Sequence, residues 1–86
     1  MKIDVQLFGA FRDHQPEARI ALELAEGATV ADLRRALEAH ALAHWPAFNP
    51  KLLAYSAFAS ETSVLRESDA LPADGRMAVL PPVSGG

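Results

Sequence analysis

The stretch A-E-G-A-T-V-A-D-L-R-R-A-L, residues 25–37, marks the change from strand to helix and decides the fold. Its first three residues are typical of a turn. A helix is predicted to open at Thr29, whose side chain can accept a hydrogen bond from a first-turn amide. Asp32, three residues later, can return one, and its negative charge suits the positive start of a helix.

The predicted helix carries a single apolar stripe. Its apolar residues recur at intervals of three and four, namely Val30, Leu33, Leu37 and Ala41. Arg34 and Arg35 fall on the solvent side, and Arg34 is one turn from Glu38. Pro46 ends the helix near His44 or Trp45, because proline disfavours helical backbone before it. Trp45 and Phe48 are expected to fold back over the helix end.

Two alternating segments precede this helix. Residues 3–8, I-D-V-Q-L-F, and residues 18–24, A-R-I-A-L-E-L, place apolar side chains at every second position. This period is that of a strand with one covered face, and two such neighbours favour an antiparallel hairpin. Residues 9–16 between them are predicted to form a loop with a helical turn.

Three further strands are predicted after the helix. Residues 51–59, K-L-L-A-Y-S-A-F-A, form a continuously apolar run, and residues 64–65 form a short strand. The sequence P-A-D-G at 72–75 is a turn signal, because proline presets φ and Asp-Gly tolerates positive φ. R-M-A-V-L, residues 76–80, is the last strand.

This order of elements predicts an α+β domain over residues 1–80. One main helix would pack on one face of a mixed sheet of four or five strands, and the ubiquitin-like β-grasp fold fits this order. The first and last strands would then lie side by side at the centre of the sheet. Residues 81–86 would form a flexible tail that leaves from the end of a buried strand.

Composition limits the possible functions. The chain has 86 residues, enough for one domain, and a net charge of −3, which argues against nucleic acid and an anionic membrane surface as partners. It contains no cysteine, so a disulfide, a thiol nucleophile and a cysteine-based metal site are excluded. No signal peptide or membrane-spanning run is apparent, and we expect a cytoplasmic protein.

The tail P-P-V-S-G-G, residues 81–86, has properties that suit insertion into a narrow channel. Pro81 and Pro82 favour an extended path away from the domain. Gly85 and Gly86 have no β-carbon, so their backbone can lie close against a partner. The α-carboxylate of Gly86 is the reactive group of this tail, and activation with ATP would make it an acyl donor.

The sequence resembles the sulfur-carrier small subunits of molybdopterin synthase. The specific part is the P-P-V-S-G-G end, supported by L-P-A-D-G-R-M-A-V-L at 71–80 and by L-F-G-A-F-R at 7–12. The resemblance implies the β-grasp fold. It also implies that Gly86 is adenylated by a ubiquitin-activating-like enzyme, which uses ATP, and is then converted to a thiocarboxylate.

The resemblance further implies a partner and a set of contacts. The tail residues Pro81, Pro82, Val83, Ser84 and Gly85 would insert into the large catalytic subunit, where Gly86 would deliver sulfur to cyclic pyranopterin monophosphate. No cofactor would be bound by the chain itself.

Three more residues are expected near the partner surface: Phe8 and Arg12, which match the F-x-x-x-R segment of the family, and Leu80 at the base of the tail. Each has a simpler alternative. Phe8 could be a core residue at a strand end, Arg12 could be a solvated loop charge, and Leu80 could serve both core and contact.

The sequence also leaves other functions open. A ubiquitin-like protein modifier would share the adenylation step and then form isopeptide bonds, and a carrier for thiamine or thiouridine synthesis would differ only in its acceptor. A plain interaction domain with an idle tail is the third possibility. His40 and His44 have the spacing of metal ligands on a helix, but without cysteine we predict no metal site.

Overall fold

The computed structural model describes residues 1–82. Within them the chain forms one five-stranded sheet and one long helix. The strands are β1 (Lys2–Leu7), β2 (Arg19–Glu23), β3 (Ala57–Ala59), β4 (Val64–Leu65) and β5 (Arg76–Leu80). The helices are α1 (Val30–His44), the short α2 (Pro50–Ala54) and a 3₁₀ helix over Gly9–His14.

The strand order is β2-β1-β5-β3-β4, which puts β5 in the middle of the sheet. β1 and β2 form the predicted antiparallel hairpin, with Val5 opposite Ile20. β1 and β5 run parallel, from Asp4 opposite Arg76 to Leu7 opposite Val79. The mixed sheet, with the first and last strands side by side at its centre, confirms the predicted α+β architecture.

Helix α1 begins where the sequence predicts. The Thr29 side chain accepts a hydrogen bond from the Asp32 amide at 3.4 Å, and the Asp32 carboxylate accepts one from the Thr29 amide at 2.9 Å. These bonds satisfy two amide groups that have no partner inside the helix. The bond from the Thr29 amide is also the main reason that the pKa of the Asp32 carboxyl is lowered. At the other end, α1 stops at His44, just before Pro46.

The core lies between α1 and one face of the sheet. The predicted stripe on α1 is fully buried, and so are the alternate residues of β1. Trp45 and Phe48 are buried at the end of the helix, as predicted. The largest fully buried side chains are Phe11, Phe58, Ile3, Leu7, Leu33, Leu37, Leu53, Val5, Val30 and Val79.

The prediction of one strand over residues 51–59 is wrong for its first half. Residues Pro50–Ala54 form α2, and only Ala57–Ala59 pair in the sheet. The Asn49 side chain accepts a hydrogen bond from the Lys51 amide at 3.0 Å, and Pro50 occupies the first turn. Both features start a helix, and they outweigh the apolar run that follows.

The prediction that Arg34 lies in solvent is also wrong. Its guanidinium donates to the Glu67 carboxylate at 2.7 and 2.9 Å and to the Ser56 carbonyl at 2.9 Å, and it also donates to the Leu53 carbonyl. It lies 4.9 Å from the centre of the Phe58 ring. Arg34 therefore joins α1 to the end of α2, and the expected neighbour Glu38 is not its partner.

The turn before β5 has the predicted chemistry. The Gly75 amide donates to the Pro72 carbonyl at 3.0 Å, and Gly75 has a φ of +69°. A β-carbon at Gly75 would lie 2.6 Å from the Lys2 carbonyl oxygen, so only glycine allows β5 to start this close to β1. None of the helices within residues 1–82 is both long enough and apolar enough to cross a membrane.

Candidate functional site at the end of β5

The base of the tail is held on both sides by the sheet. Val79 pairs with Leu7 of β1 and with Phe58 of β3, and Leu80 pairs with Ala57. Hydrogen-bonded neighbours on both edges restrict the movement of β5 more than that of the edge strands β2 and β4. The chain beyond Leu80 therefore starts from a fixed point.

Pro81 and Pro82 follow directly, and the first of them touches a glycine. Pro81 is half-buried and Pro82 is exposed. A β-carbon built on Gly9 would lie 2.7 Å from Cγ of Pro81 and 3.8 Å from its Cβ, so the ring occupies the space that a side chain would fill. The predicted tail residues Val83, Ser84, Gly85 and Gly86 lie outside the described residues.

The face of the sheet opposite α1 is an open groove of about 700 Å³, which we call the open face. It is lined by the outward residues of β1 and β5 and by parts of the neighbouring segments. At the tail end of these strands Phe8, Ala78 and Leu80 contribute apolar surface to the lining, beside the polar Gln6 that pairs with Ala78. The groove therefore runs up to the base of the tail.

The other end of the open face is charged. Asp4 pairs with Arg76 in the strand register, and Arg76 bonds Glu61 at 3.0 Å. The Arg19 guanidinium lies 3.8 Å from the Asp4 carboxylate. The hydrogen bond that Arg76 donates to the Glu61 carboxylate is the main cause that raises the pKa of Arg76, so this cation keeps its charge throughout the ordinary pH range. The open face thus combines a more apolar end near the tail, which we call its apolar end, with a mixed-charge end away from it.

The structure brings together two of the three predicted contact residues. Phe8 follows Leu7 and Leu80 follows Val79, and these two preceding residues are paired, so Phe8 and Leu80 leave the parallel strands side by side. Phe8 is 38% exposed and lines the groove, which rules out the alternative that it is a core residue. Arg12 is exposed on the 3₁₀ helix and does not line the groove. The proposed contacts themselves remain predictions.

The histidines are arranged as packing groups. The His40 and His44 rings lie 4.5 Å apart, and His14 stacks on Trp45 at 5.1 Å with nearly parallel planes. Burial, and then the neighbouring His44, lower the pKa of His40. Within residues 1–82 there is no group of three side chains suited to a metal ion.

Sequence analysis missed the contact of Gly9 with Pro81. The sequence places Gly9 at the start of the predicted loop. A glycine this close to the end of a strand is the signal of a special role in the sequence, and its φ of +57° in the structure agrees with that signal. The neighbour that gives it this role lies at the other end of the chain, and no local pattern names that neighbour.

Comparison with known proteins then identifies the family. Residues 5–86 match the ThiS family. The chain belongs to the ThiS family. A molybdopterin synthase sulfur carrier subunit of Synechococcus elongatus is 43% identical to this ThiS-family chain over 82 residues, which is 92% of this chain and 90% of the relative. This relative confirms the resemblance noted in the sequence.

Solved structures agree with the fold of this ThiS-family chain. The H. volcanii small archaeal modifier protein 1 superposes with a TM-score of 0.73 at 20% identity, covering 95% of this chain and 98% of the other. A putative molybdopterin converting factor, subunit 1, from Pyrococcus furiosus superposes with a TM-score of 0.66 at 26% identity, covering 96% and 99%. These likenesses confirm the ubiquitin-like β-grasp fold.

Proposed function

We propose that this chain is the sulfur carrier of a molybdopterin synthase. Its C-terminal Gly86 would carry a sulfur atom and donate it to cyclic pyranopterin monophosphate in the large catalytic subunit, and two such donations would supply both sulfur atoms of the dithiolene that later holds the metal. The observation that carries the proposal is the 43% identity to a curated carrier of this kind over nearly the whole chain. The P-P-V-S-G-G end at residues 81–86 supports it.

The chemistry has two activation steps. The Gly86 carboxylate attacks the α-phosphorus of ATP and expels pyrophosphate, which gives an acyl adenylate on a separate ubiquitin-activating-like enzyme. A sulfur nucleophile then attacks the acyl carbon, and AMP leaves with the bonding electron pair. The resulting thiocarboxylate keeps a nucleophilic sulfur at the tip of the tail. ATP is consumed by the activating enzyme, and this chain acts as a sulfur donor more than as a catalyst.

The geometry at the end of β5 suits this role. A carrier must present one short segment to two enzymes in turn, so its base should be rigid and its tip narrow. Pairing on both sides holds Val79, and pairing with Ala57 holds Leu80. Pro81 and Pro82 continue from Leu80 without a backbone donor. The two last residues are glycines, which fit a channel too narrow for side chains.

The open face is the proposed contact surface for both partners. Its apolar end, with Phe8 and Leu80, adjoins the tail, so a partner that binds the tail also covers this end. Arg12 is proposed to contact the partner from the 3₁₀ helix beside it. We further propose a heterotetramer of two large and two small subunits, in the cytoplasm, where ATP is available.

The test is the intact mass of the chain after incubation with ATP, an activating adenylyltransferase of this class and a sulfide source. We expect a mass gain equal to the replacement of one oxygen atom by sulfur. Addition of the large subunit and cyclic pyranopterin monophosphate should then return the mass to its starting value while dithiolene forms. A chain lacking Gly86, which leaves the described fold untouched, is the matched control and should gain no mass.

Two results would contradict the proposal. One is the absence of any mass gain in the full chain with an active adenylyltransferase. The other is a thiocarboxylate that survives the large subunit and its pterin substrate. Stable conjugates of the chain with lysines of other proteins would instead favour a ubiquitin-like modifier, and sulfur delivery to a thiamine or thiouridine precursor would favour the related carriers.

A further inference from the structure

The close contact between Gly9 and Pro81 lies at the base of the tail and indicates that Gly9 influences the direction of the tail. Gly9 follows β1 and Pro81 follows β5, and the parallel pairing of these strands brings the two residues together. A β-carbon on Gly9 would lie 2.7 Å from Pro81 Cγ, closer than such atoms pack in proteins. The absence of a side chain at Gly9 is therefore what lets Pro81 lie where it does.

A clash between a side chain at position 9 and the Pro81 ring could not be relieved by rotation of a side chain, because proline is cyclic. The Cγ atom belongs to a ring closed on the backbone nitrogen, so it cannot rotate away as the end of a flexible side chain would. Gly9, for its part, is joined to β1, which is paired on both sides. A side chain at Gly9 would therefore push the backbone of Pro81, and with it the start of the tail.

We infer that Gly9 is a positioning residue for the tail, which sets the direction in which the chain leaves β5 by making room for Pro81. The inference rests on the proposed function, because direction matters only if the tail must enter a partner. Gly9 does not touch the reacting atoms. It acts through Pro81, and a displacement of about 1 Å at the base of a reacting segment can cost about a hundredfold in rate.

Gly27 offers a matched control for the backbone strain. Both glycines have positive φ, +57° at Gly9 and +83° at Gly27, so alanine at either position adopts an unfavourable backbone conformation. A β-carbon at Gly27 would meet nothing within 4 Å. A difference between Gly9→Ala and Gly27→Ala therefore reports the contact with Pro81 and not the strain.

The experiment measures kcat/KM of thiocarboxylate formation for the wild-type chain, Gly9→Ala, Gly27→Ala, Pro81→Ala and the double variant Gly9→Ala/Pro81→Ala, each at a temperature where thermal unfolding shows it folded. We expect Gly9→Ala to lose about ten- to a hundredfold while Gly27→Ala stays within about threefold of wild type. In the Pro81→Ala background, which lacks Cγ, the same change at Gly9 should cost less than about threefold.

This double-mutant cycle separates the positioning of the tail from a general effect on folding, because a purely structural role of Gly9 would not depend on Pro81. Equal losses from Gly9→Ala with and without the proline ring would overturn the inference, and so would wild-type activity of Gly9→Ala. If instead the wild-type chain never gains sulfur, the proposed function fails. Nuclear Overhauser contacts between Gly9 Hα and Pro81 Hγ in the free chain provide an independent readout, and their absence would also overturn the inference.

Discussion

The two faces of the sheet are made by alternate residues of the same strands, yet they differ in almost every property. The covered face packs on α1, and its side chains from β1 and β5 are almost fully buried: Ile3, Val5, Leu7, Met77 and Val79. The open face carries the intervening residues, most of which are charged, polar or small: Asp4, Gln6, Arg76 and Ala78, with the apolar Leu80 at the tail end. One face therefore holds the fold together, and the other remains available to a partner.

The difference teaches how a small domain combines stability with recognition. A strand alternates its side chains between faces, so the residues of one face can change with little effect on the other. The tail leaves from the same strand that contributes to both faces. A change on the covered face should therefore lower stability, and a change on the open face should lower binding.

The largest effect is expected for Phe58→Ala on the covered face. Phe58 is fully buried on β3, and its removal leaves a large cavity beside Arg34. The free energy of unfolding should fall by about 3–5 kcal/mol, a large part of the stability of a domain of this size. Denaturant unfolding followed by circular dichroism measures this loss.

Phe8→Ala is the matched control on the open face. Phe8 is 38% exposed, so the same change should lower the free energy of unfolding by less than about 1.5 kcal/mol. Its affinity for the large subunit should fall about tenfold or more, because aromatic residues dominate such contacts. Equal stability losses for the two phenylalanines would break the comparison between the faces.

An intermediate effect on stability is expected for Arg34→Met. This variant tests whether the packing of the covered face depends on one charged residue. The substitution keeps much of the side-chain length but removes the ion pair with Glu67 and leaves the carbonyls of Leu53 and Ser56 without this donor. The free energy of unfolding should fall by about 1–3 kcal/mol. Thermal and denaturant unfolding both report the change.

Arg35→Met is the control, because Arg35 is the next residue but lies in solvent. Its side chain is 71% exposed and pairs only with Asp32 among the described residues, against 21% exposure for Arg34. We expect a change within about 0.5 kcal/mol. A loss as large as that of Arg34→Met would show that the burial of Arg34 is not what matters.

The smallest effect on stability is expected from a change of pH, and it arises from His40 near the C-terminal end of α1. Burial lowers the pKa of His40 in the folded chain below its ordinary value of 6.5, and the neighbouring His44 lowers it further. The unfolded chain then binds more protons than the folded one. Stability should be full above about pH 6.5 and should decrease as the pH falls below it, towards the lower folded pKa.

Unfolding temperatures at several pH values between about 7.5 and 5.5 check this trend. In the variant His40→Gln the slope over this range should become shallower. The carboxylates Asp32 and Glu67 have lowered pKa values and titrate below this range, so they do not obscure it. A slope unchanged by His40→Gln would assign the pH dependence to other groups.

Local signals in the sequence predicted much of the fold. The capping pair Thr29 and Asp32, the stripe on α1 and the turn at 72–75 each depend on residues within a few positions of one another. Such patterns act through nearest neighbours along the chain, so they can be read without a structure. The strand at 51–59 was the exception, because a short apolar run suits a helix as well as a strand.

The candidate site was predicted in part, and the family resemblance supplied most of that. Phe8 and Leu80 were named as contact residues, and the structure places both at the tail end of the open face. The contacts of Arg34 with Glu67 and of Gly9 with Pro81 could not be predicted, because in each pair the two residues are distant in the sequence. Periodicity carries no information about such pairs.

The sequence by itself determined where most of the elements lie, which side of β1, β2 and β5 is apolar, and that residues 81–86 combine two prolines with two glycines. Those properties follow from side-chain size, polarity and backbone preference, which act locally. Only the tertiary structure decided the register in which β1 and β5 pair, and so that Gly9 lies against Pro81 and Phe8 emerges beside Leu80. The physical reason is that strand pairing joins distant segments through backbone groups that every residue shares.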